Sequence, residues 1–178
     1  MIKKITYQKY FRDISKKINS FDYKKMEVLK KKITSLNKNN KIILIGNGGS
    51  ASISSHVAVD FTKILNKRAI CFNDPNLITC FANDYGYEKW VVKALEAHAL
   101  RKDLIILISS SGRSKNLINA CKFARKKKIF VTTFTGFKKN NPLSKIGNQN
   151  IWVDSSKYNV VEMTHHIWLL ALVDLISK

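Results

Sequence analysis

Residues 46–62, GNGGSASISSHVAVDFT, place three glycines and several hydroxyl side chains directly before a segment that carries His56 and Asp60 four residues apart. Glycine lets a ligand approach the backbone closely, and the free N–H groups opening a helix favour an anion. A second segment, SSSGRS at 109–114, repeats this chemistry with Ser109, Ser110, Ser111 and Ser114 grouped around Gly112. Four hydroxyls in six residues suit the ringing of one phosphate monoester, whereas an ordinary helix cap needs a single Ser. Neither segment has the G-x-G-x-x-G spacing of a dinucleotide loop or the G-K-[ST] of a nucleoside-triphosphate loop. The two together predict an anionic ligand, and His56 with Asp60, on one helical face, adds an edge of acid–base chemistry.

Positioning these loops requires a strand before each and a helix after it. KIILIG (41–46) and DLIILIS (103–109) are short, β-branched, apolar runs of the kind buried on both faces of a parallel sheet. Further strands are expected at 68–72, 129–134 and 150–154, with helices at about 50–65, within 76–100, at about 114–127 and at about 160–177. Strands alternating with helices make βαβ units, so the class is α/β with a parallel sheet covered on both faces. Both loops then leave the carboxyl ends of strands, where open sheets of this kind bind ligands. Ahead of this core, 3–19 (Ile5, Tyr10, Phe11, Ile14, Ile18) and 22–38 (Met26, Leu29, Ile33, Leu36) read as amphipathic helices. Residues 137–149 are the longest loop.

The chain of 178 residues suits one domain, 1–178, with 1–38 as leading helices and 41–178 as the core. A net charge of +20 raises the prospect of a nucleic-acid partner. Only Arg12, Arg68, Arg101, Arg113 and Arg125 among the 32 basic residues are Arg, and the Lys residues are scattered, so the charge is read as compositional drift. The odd set Cys71, Cys80 and Cys121 has no metal-ligand spacing and predicts buried thiols without disulfides. The apolar run at 167–173 is short for a bilayer and the opening MIKKITYQKYF is broken by charge, so a cytoplasmic location away from membranes is expected.

The sequence resembles the sugar isomerase (SIS) domain family, and within it the phosphoheptose isomerases. The resemblance rests on LIGNGGSASISSHVAVDFT, FANDYGYEKW (81–90), ILISSSGRSKNLINACKFARKKKI (106–129) and VVEMTHHIWLLALVDLI (160–176), in order and nearly throughout the chain. It implies a three-layer α/β/α sandwich with a five-stranded parallel sheet, a flavodoxin-like arrangement. It also implies a homotetramer built through the leading helices, with active sites between subunits. The implied activity is aldose–ketose isomerisation of sedoheptulose 7-phosphate to a heptose 7-phosphate, in bacterial heptose or surface-polysaccharide precursor synthesis.

Carried over residue by residue, the resemblance implies that Asn47, Gly48 and Ser50 face the sugar and that Asn83 and Asp84 line it. Ser109, Ser111 and Ser114, with Ser110 beside them, hold the phosphate. Arg113, where the family usually has Asn, adds a cation next to it. For the enediol chemistry the family uses a Glu after the first loop and a His on the last helix, and some members bind zinc there through a His, that Glu, a Gln and the last-helix His. Here the Glu position is Asp60, the Gln position is Val161 and the His position is Leu169. Leu169 cannot transfer a proton and Val161 cannot bind a metal.

Val161, His165 and Leu169 are spaced by four and share one face of the last helix, so His165 is the expected stand-in; Glu162 and His166 are the alternatives, though each points off that face. The resulting catalytic set is Asp60 as base, His165 as partner and His56 as orienter. No cofactor is required; zinc, if used, would sit on His56, Asp60 and His165. The alternative is a non-catalytic SIS module that binds a sugar phosphate or a protein partner as a regulator, with THH as a satisfied polar patch at a subunit contact. The last helix is apolar all round at 167–173, which predicts coverage by another subunit.

Overall fold

In the computed structural model, which describes residues 6–178, the apolar runs pair as five strands: β1 (Lys41–Gly46), β2 (Arg68–Cys71), β3 (Leu104–Ser109), β4 (Phe130–Thr135) and β5 (Gln149–Trp152). All pairings are parallel, in the order β2-β1-β3-β4-β5. Seven helices lie among the described residues: α1 (Tyr7–Ile18), α2 (Tyr23–Thr34), α3 (Gly49–Lys63), α4 (Pro75–Tyr85), α5 (Trp90–His98), α6 (Lys115–Lys126) and α7 (Tyr158–Ser177). The expected elements are present with ends shifted by a few residues. Ile5, expected on the first helix, lies outside the described residues. The 137–149 loop contains one short turn of 3-10 helix, Leu143–Lys145.

Alternation along the strands divides the core into two layers. Ile42, Leu44, Ile106, Ile108 and Phe134 point to the side covered by α2, α3 and α7, where they meet Leu29, Ile33, Val57, Phe61, Trp168 and Leu169. Ile43, Ile45, Ile105, Leu107 and Val131 point to the other side and meet Trp90, Leu95, Leu117 and Cys121 from α5 and α6. This is the three-layer α/β/α sandwich that the alternation of apolar runs predicts. At the opposite end of the sheet from the glycine loops, buried Asp103 accepts from the backbone amides of Lys41 and Leu100, each at 2.8 Å, and pairs with Lys41 Nζ at 3.2 Å. That cluster ties the starts of β1 and β3 together.

Helix α7 has the length of a bilayer-crossing segment, yet its inner face, including Val161, His165, Trp168, Leu169 and Leu172, is buried against the sheet and neighbouring helices. Trp168 Nε1 donates to the Ile18 carbonyl at 2.7 Å, which docks the end of α1 on α7. The chain's own α1, α2 and α3 therefore supply cover that the sequence assigned to a second subunit. Met163, Ile167 and Leu175 of α7 stay exposed, and α1 has no buried residue, so its apolar side is still open. The cysteines divide: Cys121 is buried and its thiol is pushed up to about 12 by desolvation, Cys71 is half-buried, and Cys80 is exposed, against expectation.

Candidate active site

The strand order places β1 and β3 side by side while their onward connections leave in opposite directions, β1 towards β2 and β3 towards β4. This is the topological switch point of the sheet, and a crevice opens there beyond the strand ends. Residues 46–50 and 109–114 are the two loops that border it. Gly48 takes φ +54 and Gly112 φ +63, a left-handed backbone region that other residues enter only at a cost. At Gly112 a Cβ would also collide with the Asn141 side chain.

The crevice has a volume of about 320 Å³ and is walled by Asn47, Gly48, Gly49, Ser50, Ser109, Ser110, Ser111 and Ser114, with Ile108 beneath and Tyr158 and Glu162 from α7 closing one side. The structure thus brings together every residue expected from the two loops except Arg113. Arg113 departs from expectation: its side chain is exposed and does not line the crevice, while its backbone N–H donates to Ser111 Oγ at 3.3 Å. Asn83 and Asp84 lie on the exposed face of α4, bonded to each other at 3.0 Å and outside the crevice wall. Three residues beyond Asp84, Tyr87 does reach the site, its hydroxyl donating to Asn47 Oδ1 at 3.2 Å.

The serine loop is built to accept something. Ser114 begins α6 but makes no capping bond; its hydroxyl lies 3.2 Å from that of Ser109 instead. The first-turn amides of α6 are left without a side-chain cap at the end of the helix that favours anions. Ser110 is 4% exposed, and its hydroxyl, which borders the crevice, has no hydrogen-bond partner in the protein. A buried hydroxyl without a partner costs stability unless a ligand or water supplies one.

The carboxylate of the site is Glu162. Its Oε1 lies 3.5 Å from Ser50 Oγ, and a Cβ added to Gly49 would fall on its carboxyl group. Gly49 is thus the gap in α3 that admits this side chain. Sequence spacing placed Glu162 off the face of interest, and no sequence signal corrects that, because α7 is apolar nearly all round and its rotation is set by packing.

His165 requires correction, as catalytic residue and as metal ligand. It does share a face with Val161 and Leu169, but that face points into the core and all three are 0% exposed. The ring packs against Phe134 and Trp168, and Nε2 donates to the Thr135 carbonyl at 3.2 Å. Burial pushes its pKa down to about 4, so the ring stays neutral at physiological pH. Its neighbour His166 takes the expected place beside α3. His166 Nε2 lies 2.9 Å from His56 Nδ1, and His56 Nε2 lies 3.4 Å from Asp60 Oδ2. Burial, then the proximity of His56, lowers the His166 pKa, with Asp60 opposing.

This His–His–Asp row runs along the outside of α3. Asp60 is ten residues beyond Ser50, roughly 15 Å along the helix at ~1.5 Å per residue, and is not part of the crevice. His56, Asp60 and His165 do not converge on a common point, and no group of three potential ligands among the described residues is arranged to hold a metal. The residues present do not fit the expected zinc set.

Comparison with known proteins places this geometry. The SIS domain model matches residues 6–136. The phosphoheptose isomerase of Cytophaga hutchinsonii is 39% identical over 108 residues, which span 58% of this chain and 56% of that one. The phosphoheptose isomerase of Helicobacter pylori strain 26695 is 32% identical over 152 residues, 82% of this chain and 79% of that one. The chain thus spans little more than half the length of the first relative and most of the second. Among solved structures, a phosphoheptose isomerase from Francisella tularensis superposes with a TM-score of 0.85 over 96% of this chain and 95% of that one, at 23% identity. The chain belongs to the SIS domain family, on its phosphoheptose isomerase-like branch.

Proposed function

We propose that the protein is an aldose–ketose isomerase of a phosphorylated sugar, converting sedoheptulose 7-phosphate to a heptose 7-phosphate for bacterial heptose or surface-polysaccharide precursors. The observation that carries this is the serine loop: an uncapped helix N-terminus, four hydroxyls and the partnerless buried Ser110 hydroxyl all border one crevice. That set matches a phosphate monoester. The relatives named above supply the sugar and the reaction. Proton transfer between adjacent carbons needs a carboxylate and hydroxyls, both present in the crevice, and calls for no metal.

The reading extends to a cytoplasmic homotetramer. Support comes from the open apolar side of α1 and the exposed Met163, Ile167 and Leu175 on α7, which offer faces to further copies.

The test is to incubate the purified protein with sedoheptulose 7-phosphate and follow the anomeric region by NMR. An aldose signal that grows with time is expected. Thermal stabilisation by the sugar phosphate without turnover would instead support a binding module, a reading favoured by the burial of Val161 and Leu169 at the family's Gln and His positions.

A further inference from the structure

We propose that Glu162 is the general base of this site, the carboxylate that carries the proton between C1 and C2 of the bound sugar, in place of Asp60. The inference rests on the isomerase reading above. Among the residues that wall the crevice Glu162 is the one carboxylate, and the only other side chain there with a titratable group is Tyr158.

Its placement sets the direction of the ligand. The crevice is bordered by two helix starts, α3 at Gly49 and α6 at Lys115, and both would attract an anion. Neither helix has a side-chain cap. The Glu162 carboxyl group already stands against Gly49 and within 3.5 Å of Ser50 Oγ, so the start of α3 is occupied by negative charge. A phosphate dianion is therefore directed to the serine loop and α6, and repelled from Glu162. The far end of the open-chain sugar, with the carbonyl and its neighbouring carbinol, then lies by Glu162, Ser50 and Gly49. Asp60, about three turns further along α3 and turned to His56, does not reach that end within one chain.

The step balances without a co-reactant. The Glu162 carboxylate takes the hydrogen on C1 of the ketose as a proton, the C–H electrons form the C1–C2 double bond, and O2 gains a proton as the carbonyl opens. The enediol then loses the proton on O1 as C1 becomes the aldehyde carbon, and Glu162 returns its proton to C2. One proton has moved from C1 to C2 and one from O1 to O2.

The experiment compares wild type, Glu162→Gln, Glu162→Asp and Asp60→Asn with sedoheptulose 7-phosphate in deuterated water, reading kcat, KM and deuterium uptake at C1 and C2. Thermal stabilisation by inorganic phosphate serves as the control for a folded site. For Glu162→Gln the expectation is a kcat lower by about 10²–10⁴-fold, deuterium uptake lost with it, and phosphate stabilisation retained. Glu162→Asp should keep measurable exchange, and Asp60→Asn should change kcat by less than about tenfold. A Glu162→Gln variant that turns over within threefold of wild type overturns the proposal while leaving the isomerase reading intact. So does an Asp60→Asn variant that alone loses exchange. A wild-type protein that neither exchanges nor isomerises the sugar overturns both.

Discussion

The side-chain amides of Asn47 and Asn116 bond each other in both directions, Nδ2 to Oδ1 at 3.0 Å each way, and so clamp the loop after β1 to the first turn of α6. The family resemblance put Asn47 on the sugar. In the structure its amide first fixes the width of the crevice, with Tyr87 adding a third bond from the α4–α5 connection.

Asn116→Ala leaves the buried side of that clamp empty, since Asn116 is 2% exposed. The expected cost is about 1–3 kcal/mol of folding stability, read from the urea midpoint at unchanged slope. Sugar-phosphate affinity should fall as well, because the two loops lose their mutual spacing.

Ser110→Ala separates binding from stability. The hydroxyl has no partner in the protein, so its removal should leave the melting temperature unchanged or slightly raised. A hydrogen bond to a charged group contributes ~1.5–3 kcal/mol, so phosphate affinity should drop roughly 10- to 100-fold by calorimetric titration. Lower stability with unchanged affinity would contradict the assignment of this hydroxyl to the ligand.

Gly49→Ala tests the seat of Glu162 from the opposite side. The added methyl falls where the carboxyl group now stands, so the side chain must swing away. Ala is favoured over Gly in a helix by ~1 kcal/mol, so the fold should not weaken. Turnover should fall more than tenfold while phosphate stabilisation persists, measured by the same NMR assay and thermal shift.

Acid sensitivity should trace to His165. Its pKa is depressed to about 4 by burial, whereas an unfolded chain titrates near 6.5. The native state thus binds fewer protons than the unfolded state between these values. Stability is fully present above about pH 6.5 and is lost as the pH falls from there through about 4, by up to about 3 kcal/mol. His166, also lowered, acts in the same direction. His165→Leu should flatten most of this slope in urea midpoints taken from pH 7 to 4.5, whereas a slope unchanged in the variant would place the effect elsewhere.

The strands, the two glycine and serine loops and their place at the carboxyl ends of β1 and β3 were legible in the residues, because buried parallel strands are short apolar runs and such loops have few alternative uses. Helical spacing was also read correctly, in that Val161, His165 and Leu169 do share a face. What spacing cannot supply is which face of a helix looks inward. On most helices here a polar side answers that question, but α7 is apolar nearly all round, so its sequence leaves the rotation about its own axis undecided. Packing against α3 and β4 decided it, turning His165 into the core and bringing His166 to His56 and Glu162 to Gly49. The sequence alone determined the two loops and their scaffold; only the tertiary structure decided which acid faces the crevice and which histidine meets α3, because that choice depends on contacts between segments more than a hundred residues apart.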